Sequence, residues 1–138
     1  MKKIELLAPA KNLQVGIEAI THGADAVYIG GPNFGARASP GNSVNEISQL
    51  CSCAHLYGAR VYVTLNTILY DTELEEARNL IYQLYEAQVD ALIVQDLAIC
   101  SMQIPPIEIH ASTQLDITTP EKAQLLEHAG FKQIVLAR

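Results

Sequence analysis

The sequence predicts an α/β fold, a parallel sheet of about six strands joined by helices, and three observations predict it. Four segments end a helix on or near a glycine and run straight into an apolar, β-branched stretch: residues 22–30, 57–64, 88–94 and 129–136. A glycine just past a helix takes the left-handed conformation that satisfies the last carbonyls. The stretches that follow, such as Ala26-Val27-Tyr28-Ile29 and Ala91-Leu92-Ile93-Val94, are continuous apolar runs, which suits strands buried on both faces. Finally, strand and helix alternate along the whole chain, the pattern of a parallel sheet. In such sheets chemistry gathers at the carboxyl ends of the strands, so the repeat also says where function is to be sought.

Strand one is placed at residues 4–8, closed by Pro9. Asn12 is a good N-cap for the first helix, whose Leu13, Ile17 and Ile20 share one face. Strand two spans residues 26–30, and the longest loop, residues 31–42, follows it. Ser43-Val44-Asn45-Glu46 is a capping box opening helix two, with Val44, Ile47, Cys51 and Ala54 as its buried stripe. Strand three takes residues 60–65. Thr72-Glu73-Leu74-Glu75 repeats the capping device for helix three, which buries Leu74, Ala77, Ile81 and Leu84. Strand four, residues 91–94, leads to a short helix near residues 97–102, and Pro105-Pro106 stops it. Strand five covers residues 107–111. Thr119 caps the last helix, with Pro120 in its first turn and Gly130 near its end, and strand six takes residues 133–137. Parallel strands joined by right-handed helices close as a barrel or stay open as a doubly wound sheet. A barrel needs eight strand–helix units and typically about 250 residues, so the pattern leaves both a small doubly wound domain and part of a barrel open.

At 138 residues with 49% hydrophobic content, the chain fits one domain with a sizeable core. Its net charge of −6 is spread without long runs, so it offers no electrostatic footprint for nucleic acid or an anionic membrane. No apolar stretch approaches the ~20 residues of a membrane span, and Met1-Lys2-Lys3 leads into a short strand rather than a signal peptide. The expected location is the cytoplasm. Cys51 and Cys53 lie about 200° apart around a helix and cannot share a metal without other ligands. Buried helix packing is the expected role for both, and for Cys100 in its short apolar helix.

Polar residues cluster beyond the strand ends. Gly30-Gly31-Pro32-Asn33-Phe34-Gly35-Ala36-Arg37 sets three glycines and an arginine after strand two, a combination able to cradle an anion, with Arg37 gripping carboxylate or phosphate. The glycine spacing is not a Rossmann fingerprint and no P-loop lysine is present, so a glycine-rich turn with a solvated arginine is the competing reading. His22, His55 and His128 fall near helix C-termini, where the helix dipole favours them. His110 differs, lying at the end of strand five ahead of Ser112 and Gln114, where it can move protons or orient a polar substrate. Asn66 after strand three and Gln95-Asp96 after strand four add polar groups to the same face, although Asp96 equally suits a helix cap. Glu5 points into or out of the sheet according to register. No Ser-His-Asp or Cys-His set can be assembled.

The same residues carry a family resemblance. Glu5-Leu6-Leu7-Ala8-Pro9-Ala10, the segment from Gly23 to Gly31, Phe34-Gly35-Ala36-Arg37, Asp90-Ala91-Leu92-Ile93-Val94-Gln95-Asp96 and Ile134-Val135-Leu136-Ala137-Arg138 resemble the collagenase-like peptidase family of unclassified catalytic type. Thr64-Leu65-Asn66-Thr67-Ile68-Leu69 and Glu108-Ile109-His110-Ala111-Ser112-Thr113-Gln114 are similar to its branch that hydroxylates a cytidine of 23S ribosomal RNA. The resemblance implies a partial TIM-type (β/α) barrel, with residues 1–138 as the N-terminal portion of the barrel domain. It implies oxygen-independent hydroxylation linked to prephenate, with RNA reached through regions outside this segment. It also implies an iron–sulfur cluster on four cysteines that lie after the sixth strand, so no cofactor or metal ligand is expected of Cys51, Cys53 or Cys100 here.

On this basis Arg37 and Arg138, with Gly31 and Gly35, are expected to bind a prephenate-like dicarboxylate. His110 and Asp96 would handle protons, with Asn66 and Gln114 orienting the substrate. The chain alone is expected to be inactive and to self-associate through open barrel edges, exposing inward side chains drawn from Leu6, Val27, Val63, Ile93, Ile109, Val135 or their neighbours. The alternatives are a true peptidase, as the family name says, and a non-catalytic anion-binding module.

Overall fold

The computed structural model of the chain describes residues 4–36 and 41–138. Its strands are β1 (Leu7–Ala10), β2 (Ala26–Gly30), β3 (Arg60–Leu65), β4 (Ala91–Val94), β5 (Glu108–Ala111) and β6 (Gln133–Ile134). Between them run α1 (Leu13–Thr21), α2 (Val44–Leu56), α3 (Leu74–Glu86), α4 (Ala98–Ser101) and α5 (Pro120–His128). All six strands are parallel and pair in sequence order. A doubly wound sheet reverses its strand order at a switch point, and this one never does. Side chains from strands two apart also meet on its inner face: Tyr62 of β3 reaches Glu5 ahead of β1, and the Tyr62 and His110 rings are 4.8 Å apart. The sheet therefore curls as part of a (β/α) barrel.

The helix-to-strand turns repeat one device. Gly23, Gly58 and Gly130 adopt φ of 103°, 69° and 108°, and the next residue in each turn donates its N–H to a carbonyl five residues back. These bonds are Ala24 to Ala19, Ala59 to Ala54 and Phe131 to Leu126, the Schellman arrangement. The turn after α3 has no glycine, yet Gln88 takes the same left-handed position at φ 67° and Val89 N–H bonds the Leu84 carbonyl. The geometry of the turn outweighs the conformational preference of the residue in it.

Most expected boundaries hold: β2, β3 and β4 begin and end where the sequence places them, and Asn12, Ser43 and Thr119 cap α1, α2 and α5 through their side chains. Five details differ. β1 runs from Leu7 through Pro9 to Ala10, because an edge strand tolerates a residue without an N–H. Thr72 does not cap α3; a 3₁₀ turn at Asp71–Glu73 precedes the helix, and the Glu73 carboxylate accepts from Tyr70 N–H at 2.8 Å. β6 is only Gln133–Ile134, and β5 starts one residue later than expected. Cys100 is exposed rather than packed, while Cys51 is fully buried.

The strands present their two faces to different surroundings. Val27, Ile29, Val61, Val63, Leu65, Leu92, Val94 and Ile109 face the helices, meeting Ile20, Ile47, Leu50, Ile81, Leu84 and Leu126 in the main core. Leu50 and Leu80 extend the expected helix stripes. Gly16 lets α1 close onto α2, since a Cβ there would stand 2.7 Å and 2.9 Å from the two Leu50 methyl carbons. The concave inner face holds a smaller cluster of Ala26, Tyr62, Ala91 and Ile93, flanked by Leu7 and Tyr28. Of the residues expected to point inward, themselves or through their neighbours, Ile93 does so, Val27, Val63 and Ile109 pack on the helices while their neighbours Ala26, Tyr62 and His110 face inward, and Leu6 is exposed. Among the described residues, no helix is long and apolar enough to cross a membrane.

Candidate functional site

At the carboxyl ends of the strands, short polar side chains lace successive loops together. Asn42, buried at the foot of the β2 loop, donates through Nδ2 to the carbonyls of Lys11 at 3.2 Å and Gly30 at 3.1 Å. Asn66, just past β3, accepts the Ala36 N–H through Oδ1 at 3.0 Å and extends Nδ2 to Ser112 Oγ at 3.4 Å. Thr67 Oγ1 donates to the Phe34 carbonyl at 3.2 Å, and Asn33 Nδ2 to Glu76 Oε1 at 2.9 Å. Asp96, past β4, accepts from Leu69 N–H and from Ala98 N–H, each at 2.8 Å. Ser112 Oγ accepts from Gln114 N–H, and the Gln114 carbonyl accepts from Gln95 Nε2. Three of the four expected catalytic residues, Asn66, Asp96 and Gln114, thus stand on one rim. Asn66 and Asp96 use their polar atoms to hold backbone, Asn66 in the β2 loop and Asp96 between the loop after β3 and the start of α4.

The glycines of the β2 loop differ in what crowds them, and only at Gly41 does backbone press on backbone. Gly31 is buried, and a Cβ on it would meet Val63 Cγ1 at 3.2 Å; one on Gly35 would meet Thr64 Oγ1 at 3.7 Å. A Cβ on Gly41 would overlap the Gly31 carbonyl, so the two ends of the β2 loop touch. Arg37 lies outside the described residues. Arg138 is exposed, one residue past Ala137, whose N–H bonds the Ile117 carbonyl at 3.1 Å. An open depression of ≈ 400 Å³ beside this rim is lined by Asn33, Phe34, Gly35, Thr67, Glu73 and Glu76.

His110 sits apart from that rim, in the lumen, and only 2% exposed. Its ring meets Tyr62 edge-on at 4.8 Å, and its Nε2 lies 3.7 Å from Glu108 Oε1. Burial pulls its pKa below the ordinary value; Glu108 opposes that shift and Arg60 adds to it. Glu108 Oε2 is held by Arg60 Nη2, and the guanidinium carbon lies 5.1 Å over the Tyr62 ring. Tyr62 donates its hydroxyl to Glu5 Oε2 at 2.7 Å, which settles Glu5 as an inward partner. Burial first, and then that bond, push the Tyr62 hydroxyl well above its usual range. Sequence reasoning missed Arg60, Tyr62 and Glu108. The signal was present, because Arg60-Val61-Tyr62 and Glu108-Ile109-His110 alternate polar and apolar within runs read as apolar throughout.

The other histidines take the expected helix-end positions. His22 caps α1, and His55 and His128 fall in the last turns of α2 and α5, with His55 Nε2 2.9 Å from Asp90 Oδ2. The cysteines do not fit an iron–sulfur cluster. Cys51 is buried with its thiol pushed up to about 12, chiefly by burial, Cys53 is half-buried, and Cys100 is exposed on α4. Among the described residues, no three His, Cys, Asp or Glu side chains come together as a metal site.

Comparison with known proteins gives a family, relatives and a structural likeness. The model of peptidase family U32 matches residues 11–138. The chain is 60% identical to the 23S rRNA 5-hydroxycytidine C2501 synthase of Escherichia coli (strain K12), over 99% of this chain and 21% of that protein. It is 37% identical to tRNA hydroxylation protein P1 of Bacillus subtilis (strain 168), over 99% of this chain and 33% of that one. It therefore spans a fifth to a third of the length of these relatives. The solved structure of the U32 peptidase Mk0906 superposes with a TM-score of 0.74 at 16% identity, covering 99% of this chain and 60% of that one, which is a likeness of fold.

Proposed function

This chain belongs to peptidase family U32, and from that premise we propose that it forms the N-terminal barrel strands of an enzyme hydroxylating a ribosomal RNA cytidine without oxygen, in the cytoplasm. The observation carrying this reading is the 60% identity to a 23S rRNA 5-hydroxycytidine synthase along essentially the whole chain. The laced rim supports it as a fixed surface against which a base and a small co-ligand can be oriented. His110 is the proposed proton carrier beneath that rim. Gln114, exposed on the rim, orients the substrate, while Asn66 holds the loop in which Gly31 and Gly35 stand and Asp96, the second proposed proton carrier, ties down the loop after β3. Arg37 and Arg138 are the proposed grips for a dicarboxylate of the prephenate type. An iron–sulfur cluster would draw its ligands from outside this chain. The open edges at β1 and β6 are the proposed surfaces for any self-association.

The peptidase reading gains no nucleophile from Ser112, the serine just past β5. Ser112 is 1% exposed, and its oxygen already serves Gln114 N–H and Asn66. The deciding experiment expresses the whole protein carrying this chain in Escherichia coli lacking its own synthase and measures 5-hydroxycytidine in 23S rRNA by mass spectrometry. Restored modification is expected. Unmodified rRNA together with cleavage of gelatin by the purified protein would favour the peptidase.

A further inference from the structure

The lumen contains a charge arrangement that the rim does not need. Glu108 stands between two basic groups on the inner face: Arg60, on β3, binds Oε2, while Oε1 lies 3.7 Å from His110 Nε2, beyond hydrogen-bond reach. Tyr62 fixes both neighbours, with Arg60 stacked over its ring at 5.1 Å, His110 against it edge-on at 4.8 Å, and its hydroxyl tethered to Glu5. The even-numbered strands add only apolar groups here, Ala26 and Tyr28 from β2 and Ala91 and Ile93 from β4, apart from the Tyr28 hydroxyl. Gln133 of β6, paired with His110 in register, carries no charge. Among the described residues, the charged and titratable groups that act on the imidazole are thus Glu108, Arg60, Tyr62 and Glu5.

We propose that Arg60 sets the protonation state of His110 by taking Glu108, the one carboxylate both could use. With Glu108 committed to the guanidinium, the buried imidazole stays neutral and keeps a basic nitrogen, as a proton acceptor requires. Without Arg60, Glu108 turns to the imidazole and favours imidazolium. Arg60 is then a positioning residue acting through His110, and its bearing on catalysis rests on the proton-carrier role proposed above.

The test follows the His110 imidazole by ¹⁵N NMR through a pH titration of the histidine-labelled whole protein, with the His110→Gln variant assigning its signal. Arg60→Met is expected to move its midpoint up, and Glu108→Gln to move it down. Arg60→Gln repeats the first arm without charge if Arg60→Met does not fold, and circular dichroism verifies each variant. Midpoints that stay put, or that move in the same direction in both variants, overturn the proposal. A second arm measures the pH profile of cytidine hydroxylation by the whole protein, where Arg60→Met is expected to shift the acid limb to higher pH. If the imidazole moves as expected while the acid limb does not, the Arg60 assignment stands and His110 loses its role in the reaction.

Discussion

Replacing Asn66 by alanine is the sharpest probe of how the rim is held. The change removes the acceptor of the Ala36 N–H at 3.0 Å and the 3.4 Å reach to Ser112. The first bond has good geometry and stands for a net ~0.5–1.5 kcal/mol, whereas the second is long enough to add little. Ala36 is exposed, so its freed N–H turns to water and incurs no burial cost. A loss of ~0.5–1.5 kcal/mol corresponds to roughly two- to twelvefold faster amide exchange, since 1.4 kcal/mol is a factor of about ten. Hydrogen exchange read residue by residue should therefore accelerate at Ala36. Tyr28 and Ile29 in β2, and Gln114, whose N–H keeps Ser112 Oγ, should stay unchanged. Asn66→Asp retains the acceptor and should retain protection. Unchanged exchange at Ala36, or equal acceleration across β2, would refute the claim that Asn66 pins this loop.

Three further outcomes follow. Gly58→Ala should destabilise by ~1 kcal/mol in chemical denaturation, because nothing lies within 4 Å of the added Cβ and the cost is the left-handed backbone alone; Gln88→Gly should be neutral or stabilising, and a loss there above ~1 kcal/mol would contradict it. His110, held below its unfolded value of 6.5 by burial, leaves stability unaffected above pH 6.5 and erodes it as pH falls from there to the folded value, because the unfolded chain binds the proton first; the melting temperature of His110→Gln should decline less over that window than that of the unaltered chain. In thiol labelling at pH 7.5, Cys100 should react in the folded protein and Cys51 only after denaturant is added, since Cys51 is buried with its thiol near 12; early labelling of Cys51 would mean that α2 opens locally.

The outer half of the architecture was legible because helix caps and apolar runs are local signals. Asn12, Ser43 and Thr119 mark their helices through side-chain bonds spanning three residues, and β2, β3 and β4 stand where their apolar runs stand. The inner face was harder to read. Arg60, Tyr62 and Glu108 become a group only after β3 and β5 are brought to either side of β4, a relation between residues up to 48 positions apart. Asn66 and Asp96 were recognisable as polar groups beyond strand ends, but the partners that turn them into loop ties belong to other loops. His110 was recognised as distinctive, and its depth below the rim was not, because β5 ends at Ala111 with Ser112 taking the outermost inward position.

The contact of Gly41 with the Gly31 carbonyl, backed by the Asn42 bond to Gly30, makes the β2 loop a closed ring whose neck belongs to the barrel. A ring closed at its neck can be exchanged as a cassette. The neck fixes both ends and Asn33, Phe34 and Ala36 tie the first half to the rim, so a donor segment inserted after Ala36 meets fixed anchors and leaves Ser43 free to cap α2. Doubling the length of such a loop costs only ~0.6 kcal/mol of closure entropy. Any other residue at position 41 would force the neck apart. A library randomised between Ala36 and Gly41 should yield folded proteins of many loop compositions, while randomising position 41 should return glycine. Selectivity toward ligands can then diversify in this segment without renegotiating the core.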